Sequence, residues 1–287
     1  AAADAEVYYV RGAALAAGVA YEVARARGAA FVLGAAHDHD ARRSLPLLGR
    51  PPDRWWVRRA LRGARTIISQ TETQRALFAS EMGLASEVVP NLVEPPDGFA
   101  DAGQEGTIVW LATYKPAKRP EWFVELARRM PQRRFVMCGV IPIPPESPAA
   151  WDAARAAAPP NLEVRGPLDH ARLGELFRGA SLMVHTSPVE GFPNTVLEAW
   201  AHGVPTVSAV DPDGVVTRER LGAVATDWDS LRDAVEALAA DPAARRAAGA
   251  RARACVAAHH APDRVLERLG AILDRVVAGV RDRRVRR

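Results

Sequence analysis

The sequence predicts an α/β protein with two parallel sheets, and three observations carry that prediction. Short apolar runs of strand length alternate with longer helical patterns over most of the 287 residues. Such alternation reads as parallel strands joined by right-handed helical crossovers, with helices covering both faces of each sheet. Periodicity stops within residues 91–106 (NLVEPPDGFADAGQEG), where Pro, Gly and Asp mark a linker between two blocks. The composition, 48% apolar and 25% charged, is that of an ordinary soluble chain with a substantial core.

Taken in order, Val7–Val10 reads as a strand and an Ala-rich helix follows to about Arg27. Residues 30–35 (AFVLGA) read as a strand, Arg54–Gly63 as a helix, Thr66–Ser69 as a strand, Thr73–Met82 as a helix and Glu87–Val89 as a short strand. Beyond the linker, strand Thr107–Ala112 leads to helix Pro120–Arg129 and strand Phe135–Cys138, which ends at Gly139. The Pro-rich loop IPIPPESP precedes a helix around Ala149–Ala158. Strand Leu162–Arg165, helix Ala171–Gly179, strand Leu182–His185, helix Thr195–His202 and strand Pro205–Ala209 come next, and the tail from Ser230 is almost wholly helical. The expected division is a domain over 1–95, a linker over 96–106, a second domain over 107–260, and a closing helix with a basic tail over 261–287.

A formal charge of +4, with no aromatics interleaved among basic clusters, argues against a nucleic-acid partner. Cys138 and Cys255 cannot build a disulfide framework, and their apolar surroundings predict buried thiols in a reducing compartment. No apolar run reaches membrane-spanning length, and AAADAEVYYV lacks the basic start and apolar stretch of a signal peptide. The expected location is cytoplasmic. A second reading of the basic tail RDRRVRR lets it touch the anionic inner face of a membrane.

The most informative stretch is Ser181–Ser208, SLMVHTSPVEGFPNTVLEAWAHGVPTVS. It reads as a strand, a loop holding Glu190-Gly191-Phe192-Pro193, a helix from Asn194 or Thr195, and a second strand. Gly191 permits close backbone approach and Pro193 suits a helix entrance. Free amides and the helix dipole at that entrance favour phosphate oxygens. Two plainer readings stand beside this one. Thr195-x-x-Glu198 is also a capping-box pattern, and Glu190 is also readable as a solvated loop carboxylate.

Glu190-x7-Glu198, with Gly-Phe-Pro after the first Glu and Ala-Trp-Ala-His-Gly-Val-Pro-Thr-Val after the second, resembles the signature of the retaining glycosyltransferases group 1, family four of the sequence classification. The whole string from Ser187 to Val207 fits. The resemblance implies the GT-B architecture, with two Rossmann-like domains whose parallel sheets face a central cleft. It also implies transfer of a hexose-type sugar from a nucleotide diphosphate sugar to a hydroxyl, without a cofactor or metal. Glu190 would lie against the donor sugar. Gly191, Phe192, Asn194 and Thr195, following on Pro193, would lend amides to sugar and phosphate, and Glu198 would accept from the ribose hydroxyls.

In WLATYKPAKRPEWFVE (110–125), Lys118 matches a lysine of the family's cleft loop. The family's arginine falls on Thr113, with Lys115 as a substitute two residues on. With no Asp-x-Asp to hold a metal, these cations would stabilise the departing diphosphate. Arg119 is expected to face solvent or pair with Glu121. Gly139 resembles the glycine that opens the next cleft loop, and Gly166-Pro167-Leu168 the loop that backs the nucleotide base.

In the first block, His37-Asp38-His39-Asp40 follows a strand end. Neighbours on one loop rarely converge on one metal ion, and the resemblance instead implies that His37 or Asp38 touches the transferred sugar or the acceptor. Gln70, Thr71 and Glu72 are readable as acceptor-lining residues, with Thr71 equally an N-cap. His185 and His202 read as satisfied core histidines. Trp55, Trp56 and Trp200 read as core or interface aromatics. The chain starts without Met, and no Gly-rich loop precedes Val7, so the resemblance implies a partial N-terminal domain, and it implies that the closing helix, roughly Pro262–Val280, crosses back to that first domain. Expected partners are a nucleotide sugar and a saccharide, lipid-linked or small-molecule acceptor. Two other functions fit the same residues: a nucleotide-sugar epimerase, and a non-catalytic nucleotide-sugar binder.

Overall fold

A computed structural model describes residues 5–96, 106–143 and 147–285. The middle of the expected linker and the last two residues of the basic tail lie outside them. The chain divides into two compact units, Ala1–Asn91 with Pro262–Arg287, and Leu92–Ala261.

The elements run β1 (Val7–Arg11), α1 (Leu15–Ala26), β2 (Ala30–Gly34), α2 (Pro51–Gly63), β3 (Thr66–Ser69), α3 (Glu72–Leu77) and β4 (Glu87–Val88). The second unit adds β5 (Thr107–Leu111), α4 (Pro120–Arg129), β6 (Phe135–Cys138), α5 (Ala149–Ala157), β7 (Leu162–Arg165), α6 (His170–Arg178) and β8 (Ala180–His185). It continues through α7 (Asn194–Ala201), β9 (Thr206–Ser208), α8 (Val215–Glu219), β10 (Gly222–Val224), α9 (Trp228–Ala240) and α10 (Pro242–His259), and α11 (Pro262–Val285) closes the chain.

The first unit is a parallel sheet in the order β1-β2-β3-β4. All five residues of β2 are buried, which makes it apolar on both faces. Phe31 and Leu33 pack with Val57, Leu61 and Phe78 of the helical layer on one side. Ala30 and Val32 face the other way, against Val265, Ile272, Val276 and Val280 of α11. Burying each of those four side chains contributes about 1.5–3 kcal/mol, and an ion pair from Arg281 Nε to Glu6 Oε1 at 2.8 Å sits at the helix's far end. This apolar stripe assigns α11 to the first unit.

The second unit is a parallel sheet in the order β10-β9-β8-β5-β6-β7. The chain builds outward from β5 to β6 and β7, returns to lay β8 against the opposite edge of β5, and continues to β9 and β10. A point where strand order reverses opens a crevice at the carboxyl ends of the two central strands. Here those strands are β5 and β8.

Several expected elements change in the structure. α3 stops at Leu77 and a wider helical turn, Phe78–Met82, ends at Gly83 with φ 66°. α8 and β10 were absent from the sequence reading. β10 has three half-buried residues, and a Cβ at its Gly222 would stand 1.8 Å from the Thr206 carbonyl oxygen, so glycine is required there. Trp55 is not a core aromatic: it is 63% exposed, whereas Trp56 lies against Gly18 and Trp200 is fully buried. Cys138 and Cys255 are buried free thiols, and burial pushes both up to about 11. Among the described residues no helix is long and apolar enough to cross a membrane.

Candidate functional site

Lys118 and Glu190 come together at the reversal point. Lys118 ends a short turn (Pro116–Lys118) after β5, and Glu190 sits in the loop after β8. The lysine ammonium donates to Glu190 Oε1, across 72 residues of sequence, and reaches Ser187 Oγ at 3.4 Å. The side chains are 25% and 16% exposed, so the pair is largely withdrawn from water without being sealed.

Two buried polar groups hold these loops. Thr186 donates its hydroxyl to the Lys118 carbonyl and accepts from Trp110 Nε1 at 2.9 Å, which ties the β8 loop to the β5 loop through a side chain 1% exposed. His185, the last residue of β8, puts Nε2 at 3.6 Å from Glu190 Oε1, and its Nδ1 lies 3.3 Å from Ser208 Oγ on β9. Burial opposes ionisation of Glu190, but the nearby His185 ring nitrogen, the hydrogen bond from Lys118 and the lysine charge outweigh it, so the carboxyl is lowered from 4.5 to about 2. Glu190 is a carboxylate at neutral pH.

His185 was read as a core histidine. It is buried, at 4% exposure, yet one ring nitrogen serves the site carboxylate. The available signal was a histidine ending an otherwise apolar strand next to the Glu190 loop. Arg119 corrects another expectation. It does not pair with Glu121: half-buried, it lays its guanidinium over the Trp122 ring at 4.4 Å, and Nη1 is buried without a hydrogen-bond partner. Its backbone is left-handed, φ 49°, where the chain turns from Lys118 into α4. Lys115 opens the Pro116–Lys118 turn, half-buried, its amide donating to the Thr113 carbonyl at 2.8 Å.

α7 begins at Asn194, with Pro193 before it and no side chain capping it. Thr195 is therefore inside the helix, and the Thr195-x-x-Glu198 capping box is not formed. The Pro193 carbonyl accepts from the amides of Val196 (3.1 Å) and Leu197 (3.3 Å). Asn194 is exposed, Thr195 and Glu198 are half-buried, and Gly191 and Pro193 are buried. Phe192 anchors the loop, with its ring 5.9 Å from Trp200 and 4.9 Å from His260.

Gly139 leaves β6 where a Cβ would stand 1.6 Å from the Ala112 carbonyl oxygen. Close approach of two strand-end loops is a sufficient reason for that glycine. Leu168 packs on the apolar core of the unit, and the neighbouring Asp169 caps α6 through the Arg172 amide at 2.9 Å. Tyr114 donates to the carbonyls of Met137 (3.1 Å) and Arg165 (2.8 Å), joining three strand ends, and burial raises its phenol.

His37 lies in the first unit, where its Nδ1 accepts from the His39 amide at 3.2 Å. Asp40 is committed to backbone amides of Ala13 (3.1 Å), Ala36 (2.8 Å) and His37 (3.2 Å). Gln74 donates to Asp38 Oδ1 at 3.1 Å, and Gln70 donates to the Ala35 carbonyl at 2.8 Å. Thr71 caps α3 through the Gln74 amide at 3.1 Å. These contacts fix the carboxyl ends of β1, β2 and β3. Among the described residues no three His, Cys, Asp or Glu side chains gather as a metal set.

Comparison with known proteins follows the same lines. No curated protein matches the chain. Sucrose-phosphate synthase from Thermosynechococcus elongatus is similar in structure at 17% identity and a TM-score of 0.78, over 96% of this chain and 74% of that one. Anabaena Alr3699/HepE, solved with UDP and glucose, superposes with a TM-score of 0.75 at 17% identity, over 94% and 77%. The pneumococcal O-GlcNAc transferase GtfA, solved with UDP and GlcNAc, gives 0.62 at 14% identity, over 90% of this chain and 54% of its own. These likenesses establish the GT-B fold, two parallel-sheet α/β domains. A family model described as glycosyl transferase-like matches residues 118–271, more than half of the sequence and a span that takes in Lys118, Glu190 and α7. The chain belongs to the glycosyl transferase-like family.

Proposed function

We propose that this protein is a retaining glycosyltransferase that moves a hexose-type sugar from a nucleotide diphosphate sugar to a hydroxyl acceptor without a metal ion. The observation that carries the reading is the meeting of Lys118 and Glu190 at the β5/β8 reversal point, beside a first turn of α7 that no side chain caps. The ligands of the HepE and GtfA structures, a nucleoside diphosphate beside a hexose-type sugar (UDP and glucose, UDP and GlcNAc), support a donor of that class.

In this reading the diphosphate lies over the first turn of α7, where amides and helix dipole favour anions. An ammonium has three donors. Glu190 and Ser187 take two of those on Lys118, and the third serves a phosphate oxygen. Glu190, ionised at neutral pH, is a poor proton donor and a weak base. Its work is to accept from sugar hydroxyls and to stabilise positive charge growing at the anomeric carbon. The acceptor oxygen attacks that carbon from the face the diphosphate leaves. The C–O bond to phosphate breaks, its electron pair goes to the diphosphate oxygen, and that oxygen takes the acceptor's proton. Lys118 and Lys115 offset the new negative charge. Gly191, Phe192, Asn194 and Thr195 contact the donor through backbone, Glu198 the ribose, and Gly139 and Leu168 the nucleotide side. His37 belongs to the acceptor side, and the reaction draws on cytoplasmic nucleotide sugars.

The test is a panel of nucleotide sugars screened for thermal stabilisation, followed by product analysis with stereochemistry. Stabilisation by at least one donor and transfer with kept anomeric configuration are expected. A donor isomerised without any acceptor, or bound with no transfer, would replace this reading with an epimerase or a binding protein.

A further inference from the structure

The first unit carries a cationic cavity that the proposed transfer does not use. Arg43, Arg58 and Arg62 line an open space of about 270 Å³ together with Glu81, Met82, Gly83 and Leu84. Arg58 and Arg62 are one turn apart on α2, and Arg43 lies in the segment between β2 and α2. Arg62 and Leu84 stand shortly before β3 and β4, so the cavity lies toward the amino ends of those strands, opposite the end that holds His37. The charges do not balance. Among the described lining residues Glu81 is the one carboxylate, and it is already taken by Arg42 Nη1 at 2.5 Å and the Arg43 amide at 2.9 Å. Arg58 spends its Nε on the Arg54 carbonyl at 3.1 Å. Among the described residues no carboxylate pairs with the guanidinium of Arg43, Arg58 or Arg62.

Three like charges around one concavity repel each other and focus a positive potential into it. A guanidinium presents a planar fork that matches phosphate oxygens two at a time, and an anion in the cavity would relieve the repulsion. We propose that Arg43, Arg58 and Arg62 form a binding site for a phosphate group, separate from the donor site. The phosphate is that of a small soluble molecule or of an anionic lipid headgroup. Trp55 stands one turn before Arg58 on the exposed face of α2 and is 63% exposed, which is why a lipid arm belongs in the test.

The experiment compares the intact protein, the Arg58→Gln/Arg62→Gln pair, the exposed single variant Arg43→Gln, and an exposed control on the second unit, Arg246→Gln. One arm measures stabilisation by inorganic phosphate against chloride at equal ionic strength. The other measures co-sedimentation with phosphatidylcholine vesicles, with and without phosphatidylglycerol. Saturable binding is expected in one arm, weakened about tenfold or more by the pair and less by Arg43→Gln, because bidentate charge-assisted bonds are lost. Arg246→Gln should bind as the intact protein does. A phosphate response identifies a soluble ligand, and a response to phosphatidylglycerol alone identifies a headgroup. No binding in either arm, or equal loss in Arg246→Gln, overturns the proposal. Donor binding plays no part in either readout, so the outcome is independent of the transferase assignment.

Discussion

The Nε2 of His185 lies 3.6 Å from Oε1 of Glu190, the same oxygen that receives the Lys118 ammonium. One carboxylate oxygen is thus approached from the end of β8 and from the turn after β5 at once. His185 acts through Glu190, as a positioning residue. In His185→Leu, Glu190 should titrate above its present value of about 2, followed by carbon NMR of the side-chain carboxylate. Turnover should fall about fivefold with KM little changed, since a lost polar contact to a charged group is worth about 1 kcal/mol. His185→Gln should recover part of the loss; an unmoved Glu190 titration would remove His185 from the site.

Glu190→Gln keeps size and hydrogen bonding but loses charge. Transfer should drop by about 10²–10³-fold, the scale of losing one preorganised electrostatic group, while nucleotide affinity measured by calorimetry stays nearly unchanged. Lys118→Ala should lower turnover by a similar factor and weaken diphosphate binding as well. Normal turnover in either variant would reject its assigned role.

The depressed carboxyl of Glu190 sets a pH signature. Its stabilising contribution is complete above the ordinary value of 4.5 and is lost as pH falls through about 2. The difference in Tm between the intact protein and Glu190→Gln should therefore be constant from pH 7 to pH 5 and shrink steadily below that. A difference that grows on acidification would contradict the pairing.

Gly139→Ala tests the close approach of two strand-end loops. The new Cβ would meet the Ala112 carbonyl oxygen at 1.6 Å, so backbone must move. A loss of about 1–3 kcal/mol is expected from such overpacking, read by denaturant unfolding. No change would mean that this turn is freer than its geometry.

Thr186→Val removes the hydroxyl that Trp110 and the Lys118 carbonyl share. Leaving buried partners unsatisfied costs about 1–3 kcal/mol each. The Lys118 loop should also loosen, so turnover falls more than donor affinity. Thr186→Ser, which restores the hydroxyl, should recover both.

Much of the architecture is written locally. The alternation of short apolar runs with helical patterns gives two α/β blocks, and Pro120–Arg129, Phe135–Cys138 and Leu162–Arg165 are read with their observed bounds because the periodicity and turn residues are local. The string from Glu190 to Glu198 likewise declares a loop and a helix entrance. β10 escapes that reading because three half-buried residues beginning with glycine carry no alternation, and α8, at five residues, is too short to show a helical period.

Strand order is not a local property. Periodicity says that β5 and β8 are buried on both faces, but only cross-strand hydrogen bonding makes them neighbours, and that pairing brings Lys118 to Glu190. Tertiary structure also decided that Thr186 locks the two loops and that the buried His185 sets one ring nitrogen beside a site carboxylate. It also supplied the physical reason α11 joins the first unit, an apolar stripe that fits that sheet. The sequence by itself determined which residue types stand at the strand ends. The packing of strands far apart in sequence determined which of them meet, because a buried charge is stable only where distant chain segments bring it a partner.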